Sequence, residues 1–341
     1  MKAARFYKPW VPLKIEEVSE PNLGTVDVLI NVKACGICGS DVHIYHGETA
    51  VGKSPIILGH EFSGVITEVG SGVDDLQMGD RVGVDGLIFC GKCSNCVKGR
   101  DNACKYWKFY GIHEDGGFAQ YCKVRAVNCV KLPSHIPFDY GAILTDAVAT
   151  PYHAVRLAKI SLGDSVAIYG VGGLGIHAVQ IAKLDGARVI AVDMVEEKLK
   201  WAKDVGADDV INAAKHDPVE KILELTDGEG VDIAIEMVGK AQTTRKTLDS
   251  VRRGGKAVLV GLCANEVPLD TRLIVRKEIE IIGSYAYCKW DIERVVKLAT
   301  DSRLNLSKSI TCKLPLDEVN RGIEILEKGL GNPLRVVVEI S

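Results

Sequence analysis

Ser165-Val166-Ala167-Ile168-Tyr169-Gly170-Val171-Gly172-Gly173-Leu174-Gly175 decides the fold. A short apolar run reads as a buried strand and enters G-x-G-x-x-G without an intervening loop. Residues 176–184 then have helical spacing, and 187–192 form a second apolar run that ends at Asp193. A lone glycine motif says little. Strand, glycine turn, helix, second strand and terminal acid in this order predict a βαβ unit that binds a dinucleotide. Gly170 allows the tight turn, Gly172 lets backbone approach a pyrophosphate, and Gly175 lets helix pack on strand. Gly173 and Leu174 lie between them, where the positive end of the helix meets the phosphates.

Asp193 can accept hydrogen bonds from the adenosine ribose hydroxyls, whereas a 2′-phosphate would meet like charge there, so NAD is expected over NADP. The plainer alternative is an aspartate that caps a helix. Lys198 stands about one helical turn further on and is within reach of the same ribose. Short apolar runs recur at 231–236, 255–260 and 278–282, separated by helical stretches, as buried parallel strands do. A helix is expected at 292–299, then a Pro-marked connection and a closing strand at 334–340.

Upstream the grammar differs. Residues 1–34 and 62–85 alternate apolar and polar in short runs punctuated by Pro and Gly, which predicts β-strands and turns. Strand-like alternation returns at 116–133, and 140–158 has helical spacing around Pro151. With 341 residues the chain is too long for one comfortable core, so two domains are expected. A net charge of −3 gives no footprint for nucleic acid or an anionic membrane. No secretory signal or membrane-length apolar run is evident. The eleven cysteines therefore read as reduced and available for metal or catalysis in a cytoplasmic setting.

Cys90, Cys93, Cys96 and Cys104 follow C-x2-C-x2-C-x7-C, a spacing that can surround one tetrahedral zinc with no open position. Buried or disulfide-bonded cysteines are the alternative. Gly59-His60-Glu61 offers an imidazole and a carboxylate, and Cys35-Gly36-Ile37-Cys38-Gly39-Ser40-Asp41-Val42-His43 offers a thiolate, a hydroxyl, a carboxylate and a second imidazole. Catalytic zinc takes about three such ligands and keeps one position open. From the residues alone, Asp146 reads as an N-cap or a structural hydrogen-bond partner, and His43 reads equally as a surface histidine.

Together these segments resemble the zinc-containing medium-chain alcohol/polyol dehydrogenases over nearly the whole chain. The resemblance implies an α/β protein. A GroES-like, mainly-β catalytic domain would comprise residues 1–150 and 288–341, with a structural zinc lobe at about 88–106. A Rossmann NAD-binding domain would comprise 151–287. It implies two zinc ions per chain. The catalytic one would sit on Cys38, His60 and Asp146, with Glu61 as a neighbouring or exchanging ligand. Asp41 would orient the ligand histidine. Ser40 would pass a proton through the cofactor ribose to His43. Arg335 is implied near the pyrophosphate, and Val238 and Val260 are assigned to the cofactor set.

The implied reaction is NAD-linked oxidation of a small alcohol (secondary alcohol, diol or polyol) to the ketone or aldehyde, and its reverse, by hydride transfer from a zinc-bound alkoxide. No nucleic-acid or membrane partner is expected. A homo-oligomer is, as dimer or tetramer. Asp41-Val42-His43-Ile44-Tyr45 is also reminiscent of threonine dehydrogenases, which keeps an amino alcohol open as substrate. A zinc-free quinone or enoyl reductase would lack the ligand set, and a nucleic-acid-binding zinc ribbon would not need the cofactor motif. Trp107 and Tyr110 are candidates for lining the substrate pocket. The remaining histidines and cysteines carry structural expectations.

Overall fold

The computed structural model describes residues 1–263 and 265–341. It divides into two compact units, Met1–Ala149 with Tyr287–Ser341, and Thr150–Ala286.

In Thr150–Ala286, six parallel strands lie in the order Asp209–Asn212, Arg188–Asp193, Ser165–Tyr169, Val231–Glu236, Val251–Leu259, Glu280–Gly283. By chain position this is the order 3-2-1-4-5-6 of the doubly wound dinucleotide fold. Helix Gly175–Leu184 is buried over most of its length. Val166, Ala167, Ile168, Val189, Ile190 and Ala191 are fully buried, which is why these strands read as unbroken apolar runs. Burying one such valine or isoleucine is worth about 1.5–3 kcal/mol.

The other unit is mainly β. Its largest sheet runs Cys129–Lys131, Arg81–Val84, Glu61–Val69, Asp27–Ile37, Val336–Glu339, Cys312–Pro315, and Tyr121–Arg125 also pairs with Asp27–Ile37. Lys2–Phe6 pairs on either side with Lys14–Glu17 and Ile56–Ile57.

Several features depart from the sequence expectations, among them strand Asp209–Asn212, which lies in a stretch read as helical. The Pro-marked connection contains a helix, Val319–Lys328, which buries Val319, Gly322 and Ile323 and whose apolar residues Val319, Ile323 and Leu326 recur at helical spacing. The helical stretch around Pro151 is not uniform: Phe138–Ile143 is α, Leu144–Val148 is a π-turn, and Ala149–Ala158 is α again. Pro151 has no N–H to return to the preceding turn, and the turn before it is the widened one. Widened turns of this kind cluster at functional sites, and this one carries Asp146.

Candidate metal centre and dinucleotide turn

The long strand Asp27–Ile37 fixes the metal centre. It pairs antiparallel with Glu61–Val69 in the register Gly36↔Glu61, and with Val336–Glu339 in the register Ile37↔Val336. Cys38, His60 and Arg335 each lie one residue beyond these pairs, so three remote chain segments converge at one end of the sheet. The π-turn brings the fourth. The donor atoms of Cys38, His60 and Asp146 lie within 4.8 Å of one another. His60 Nε2 is 3.7 Å from Asp146 Oδ2 and 3.4 Å from Ser40 Oγ.

Cys38 caps helix Gly39–Tyr45, and Asp41 Oδ2 accepts its backbone N–H at 2.8 Å. Asp41 is fully buried and turns its other oxygen to His60 Nδ1 at 4.0 Å. It therefore faces the ring nitrogen away from Asp146, the position of a carboxylate that aims a ligand histidine. Burial and the Asp146 carboxylate push the Cys38 thiol up, but Arg335 and His60 outweigh them and the net shift is downward, toward the thiolate that binds metal. A sulfur, an imidazole nitrogen and a carboxylate oxygen form a donor set of the catalytic-zinc kind.

Glu61 does not join them. A Cβ on Gly36 would stand 2.6 Å from the Glu61 carboxyl carbon, so the absent side chain is what leaves it room. Both Glu61 oxygens lack hydrogen bonds among the described residues. Its charge is met by Arg335 Nη1 at 3.4 Å. Burial holds the Glu61 carboxyl well above its usual range and Arg335 opposes this only in part. Arg335 itself is buried, donates to the Ile37 carbonyl at 3.2 Å, and has the Glu61 carboxylate beside it.

Ser40 is half-buried. His43 is exposed on the last turn of its helix, where Nδ1 meets Glu48 Oε2. Gly47, at φ +78°, folds the chain back so that Glu48 N–H reaches the His43 carbonyl at 2.8 Å. Sequence reading had no signal for this partner. It also missed Phe109, whose ring stands edge-on to His60 at 6.2 Å; Trp107 packs on Phe109 at 5.9 Å. Tyr110 is corrected from a pocket-lining candidate to a buried residue whose hydroxyl accepts the Arg125 N–H at 2.9 Å.

Cys90, Cys93, Cys96 and Cys104 form a separate cluster within 4.8 Å. Sulfur separations of 3.9, 3.5 and 3.9 Å link Cys90–Cys96, Cys93–Cys96 and Cys93–Cys104. Disulfide sulfurs would be about 2.05 Å apart, whereas zinc–sulfur bonds of about 2.3 Å in a tetrahedron place sulfurs about 3.8 Å apart. The thiols are free and spaced for a closed metal site.

In the other unit, Gly170 has φ +89°, and a Cβ on Gly175 would stand 1.8 Å from the Gly170 carbonyl oxygen. A Cβ on Gly172 would meet nothing within 4 Å, so that turn is open where a phosphate would approach. Leu174 caps helix Gly175–Leu184 and Gly173 is half-buried beside it. Asp193 Oδ2 accepts Val171 N–H at 2.9 Å, and Oδ1 accepts Met194 N–H at 2.8 Å and Val195 N–H at 3.0 Å. Its carboxylate thus ties the glycine turn to the end of the second strand. Lys198 lies on the next helix, Glu196–Asp204.

Residues 24–134 match the alcohol dehydrogenase GroES-like domain, and residues 173–301 match the zinc-binding dehydrogenase domain. An alcohol dehydrogenase of Geobacillus stearothermophilus is 39% identical over 343 residues, covering 100% of both chains. An L-threonine 3-dehydrogenase of Thermococcus kodakarensis is 38% identical, covering 96% of this chain and 95% of the relative. A crystal structure from Sinorhizobium meliloti 1021, bound to NADP, superposes with a TM-score of 0.93 at 33% identity over 99% of this chain and 98% of that one. Full-length identity at this level, joined to a zinc-type donor set at the end of one sheet and a glycine turn at the end of another, places the chain in the zinc-containing medium-chain alcohol/polyol dehydrogenase family.

Proposed function

We propose that this alcohol dehydrogenase is NAD-linked, oxidises secondary alcohols, diols or polyols, and carries two zinc ions per chain. The catalytic ion would be held by Cys38, His60 and Asp146, and the structural ion by Cys90, Cys93, Cys96 and Cys104. The observation that carries this reading is the convergence of Cys38, His60 and Asp146 donors within 4.8 Å. When bound, zinc polarises the alcohol oxygen and the nicotinamide accepts hydride.

The chain's own groups handle the proton. Ser40 Oγ lies beside His60 Nε2 and is the first acceptor for the alcohol's proton. His43 is the exit to solvent. With Nδ1–H donated to Glu48, the neutral ring keeps Nε2 as its acceptor. Phe109 supplies an apolar wall against His60, suited to the carbon side of an alcohol.

Asp193 supports NAD over NADP through its negative charge at the end of the second strand. The test is reduction of NAD+ and NADP+ across secondary alcohols, diols, sugar alcohols and threonine. We expect turnover with NAD+ on at least one non-amino alcohol, at ten or more times the catalytic efficiency with NADP+. An NADP+ preference would overturn the role of Asp193. Threonine as the best substrate would favour the amino-alcohol reading, which the Asp41–Tyr45 segment and the threonine dehydrogenase relative support.

A homo-oligomer, as dimer or tetramer, is supported by the edge strand Glu280–Gly283, which leaves Ile281 37% exposed; Val275 and Tyr285 nearby are 73% and 40% exposed. Unpaired apolar edges are templates for pairing. Sedimentation should give a multiple of 36.9 kDa, shifted toward that mass by Ile281→Lys with Val275→Glu. A monomeric wild type would overturn this. No helix among the described residues is long and apolar enough to cross a membrane, and the free cysteines suit a reducing cytoplasm.

A further inference from the structure

We propose that His46, with Glu48 and Glu327, is a second proton station that unloads and reloads His43; this rests on the reading of His43 as the proton exit. Both histidines stand at the end of helix Gly39–Tyr45, His43 in its last turn and His46 as its C-cap. At a spacing of three they are neighbours on one side of that turn. The chain then folds back and sets Glu48 between them. Gly47, at φ +78°, allows the fold-back, and a Cβ there would stand 2.9 Å from Pro9 Cγ. Glu48 Oε2 meets His43 Nδ1, and Glu48 Oε1 lies 3.9 Å from His46 Nδ1. One carboxylate thus turns an oxygen to each ring.

His46 is the more firmly held of the two. Its side chain is 19% exposed, against 48% for His43. Nε2 is 2.5 Å from Glu327 Oε1, on helix Val319–Lys328. The Trp10 ring stacks on the imidazole with centroids 4.4 Å apart and planes 16° apart. Trp10 takes this place at φ +63°, a backbone conformation unfavourable for a bulky residue, and its N–H donates to the Tyr45 carbonyl at 2.8 Å. The nearby cations of the Glu327 helix are paired elsewhere, Arg321 with Glu318 at 2.9 Å and Lys328 with Glu324 at 2.6 Å. A ring with a carboxylate at each nitrogen and an indole over its face is set in one orientation.

That orientation continues the route from His43. With Nε2–H donated to Glu327, the neutral His46 ring keeps Nδ1 as an acceptor toward Glu48. In alcohol oxidation one proton arrives at His43 Nε2 and the Nδ1 proton passes to Glu48. Glu48 hands one proton on to His46 Nδ1, through a bridging water across the 3.9 Å gap, and His46 releases it to solvent. Exchange of the half-exposed His43 ring with water restores its starting tautomer. Ketone reduction runs these steps backward and draws its proton from water. Supply is what the array adds. Diffusional encounter has a ceiling of about 10¹⁰ M⁻¹s⁻¹, so at about pH 9 a lone surface base is loaded about ten times a second, no faster than a typical kcat of about 10 s⁻¹. A second histidine widens the target, and two carboxylates draw protons toward it.

The test is ketone reduction by the full-length, zinc-loaded enzyme with its preferred reduced dinucleotide, at about pH 9, in weak and in concentrated Tris. The buffer acid reaches the half-exposed His43 directly and bypasses the array. His46→Gln should lower turnover threefold or more in weak buffer, and concentrated buffer should restore at least half of the loss. Trp10→Ala, which removes only the stacking face, should show the same pattern at smaller size, and it decides the matter if His46→Gln does not fold. A loss of equal size in both buffers marks a merely structural role and overturns the proposal, as does turnover in weak buffer that neither substitution changes. Should His43→Gln leave turnover unchanged in both buffers, the exit reading itself falls, and the second station with it.

Discussion

Replacing Asp146 with alanine is expected to cut turnover by about a thousandfold or more and to lower zinc from two ions per chain to one. The first effect follows from chemistry. Lewis-acid polarisation is worth several kcal/mol, and each 1.36 kcal/mol is a factor of ten. The second follows from geometry. Asp146 Oδ2 is 3.7 Å from His60 Nε2, whereas Glu61 is paired with Arg335 at 3.4 Å. Glu61→Gln should therefore keep both ions. It also removes a buried carboxylate and leaves Arg335 without its anion at that side, so some loss of stability accompanies it. Asp146→Cys should retain zinc and part of the activity, since a thiolate is an equally good ligand. Metal analysis of the three variants beside steady-state rates decides the ligand set. If Glu61→Gln loses the ion and Asp146→Ala keeps it, the assignment reverses.

The second large effect concerns the four-thiolate lobe. Helix Ser94–Val97 buries none of its residues, so the segment has almost no apolar core. Its fixed points are the sulfurs themselves and Asp101 and Asn102, which meet Lys289 N–H at 3.0 Å and Cys288 Sγ at 3.3 Å. Structural zinc contributes about 10–16 kcal/mol to the folding of small zinc peptides, comparable with the whole stability of a domain. Cys93→Ser should lose one zinc and open the loop. Lys92, Lys98, Arg100 and Lys105 are all exposed within it, so trypsin should cut there at least ten times faster than in wild type. The catalytic ion should remain on its own ligands. Retention of two zinc ions and of trypsin resistance by Cys93→Ser would refute a closed metal site.

Both units and much of the chemistry were legible in the chain, for a physical reason. The glycine turn between Tyr169 and Ile176 works through backbone shape and helix polarity, which contiguous residues set by themselves. The Cys90–Cys104 spacing is also local, because a short loop of such steps can close on one ion. The central strands of the parallel sheet announced themselves by burial on both faces, whereas the edge strand Asp209–Asn212, with one buried residue, gave no such run. Helix Val319–Lys328 was legible too, since Val319, Ile323 and Leu326 recur at helical spacing, and it was missed only because Pro315 and Pro333 on either side mark a connection.

The metal centre depended on pairing between remote segments. Gly59-His60-Glu61 and the Cys38 segment showed donors, but the choice between Glu61 and Asp146 was open in the sequence. Register places Glu61 opposite Gly36 and Val336 opposite Ile37. These pairings put Arg335 against Glu61 and leave His60 facing the π-turn of Asp146. The same holds for His46, whose partners Trp10 and Glu327 come from remote parts of the chain. The sequence by itself determined which donors exist and which short loops close. Only the tertiary structure decided which donors meet, because a meeting across the sheet is set by strand register and by a widened helical turn rather than by spacing along the chain.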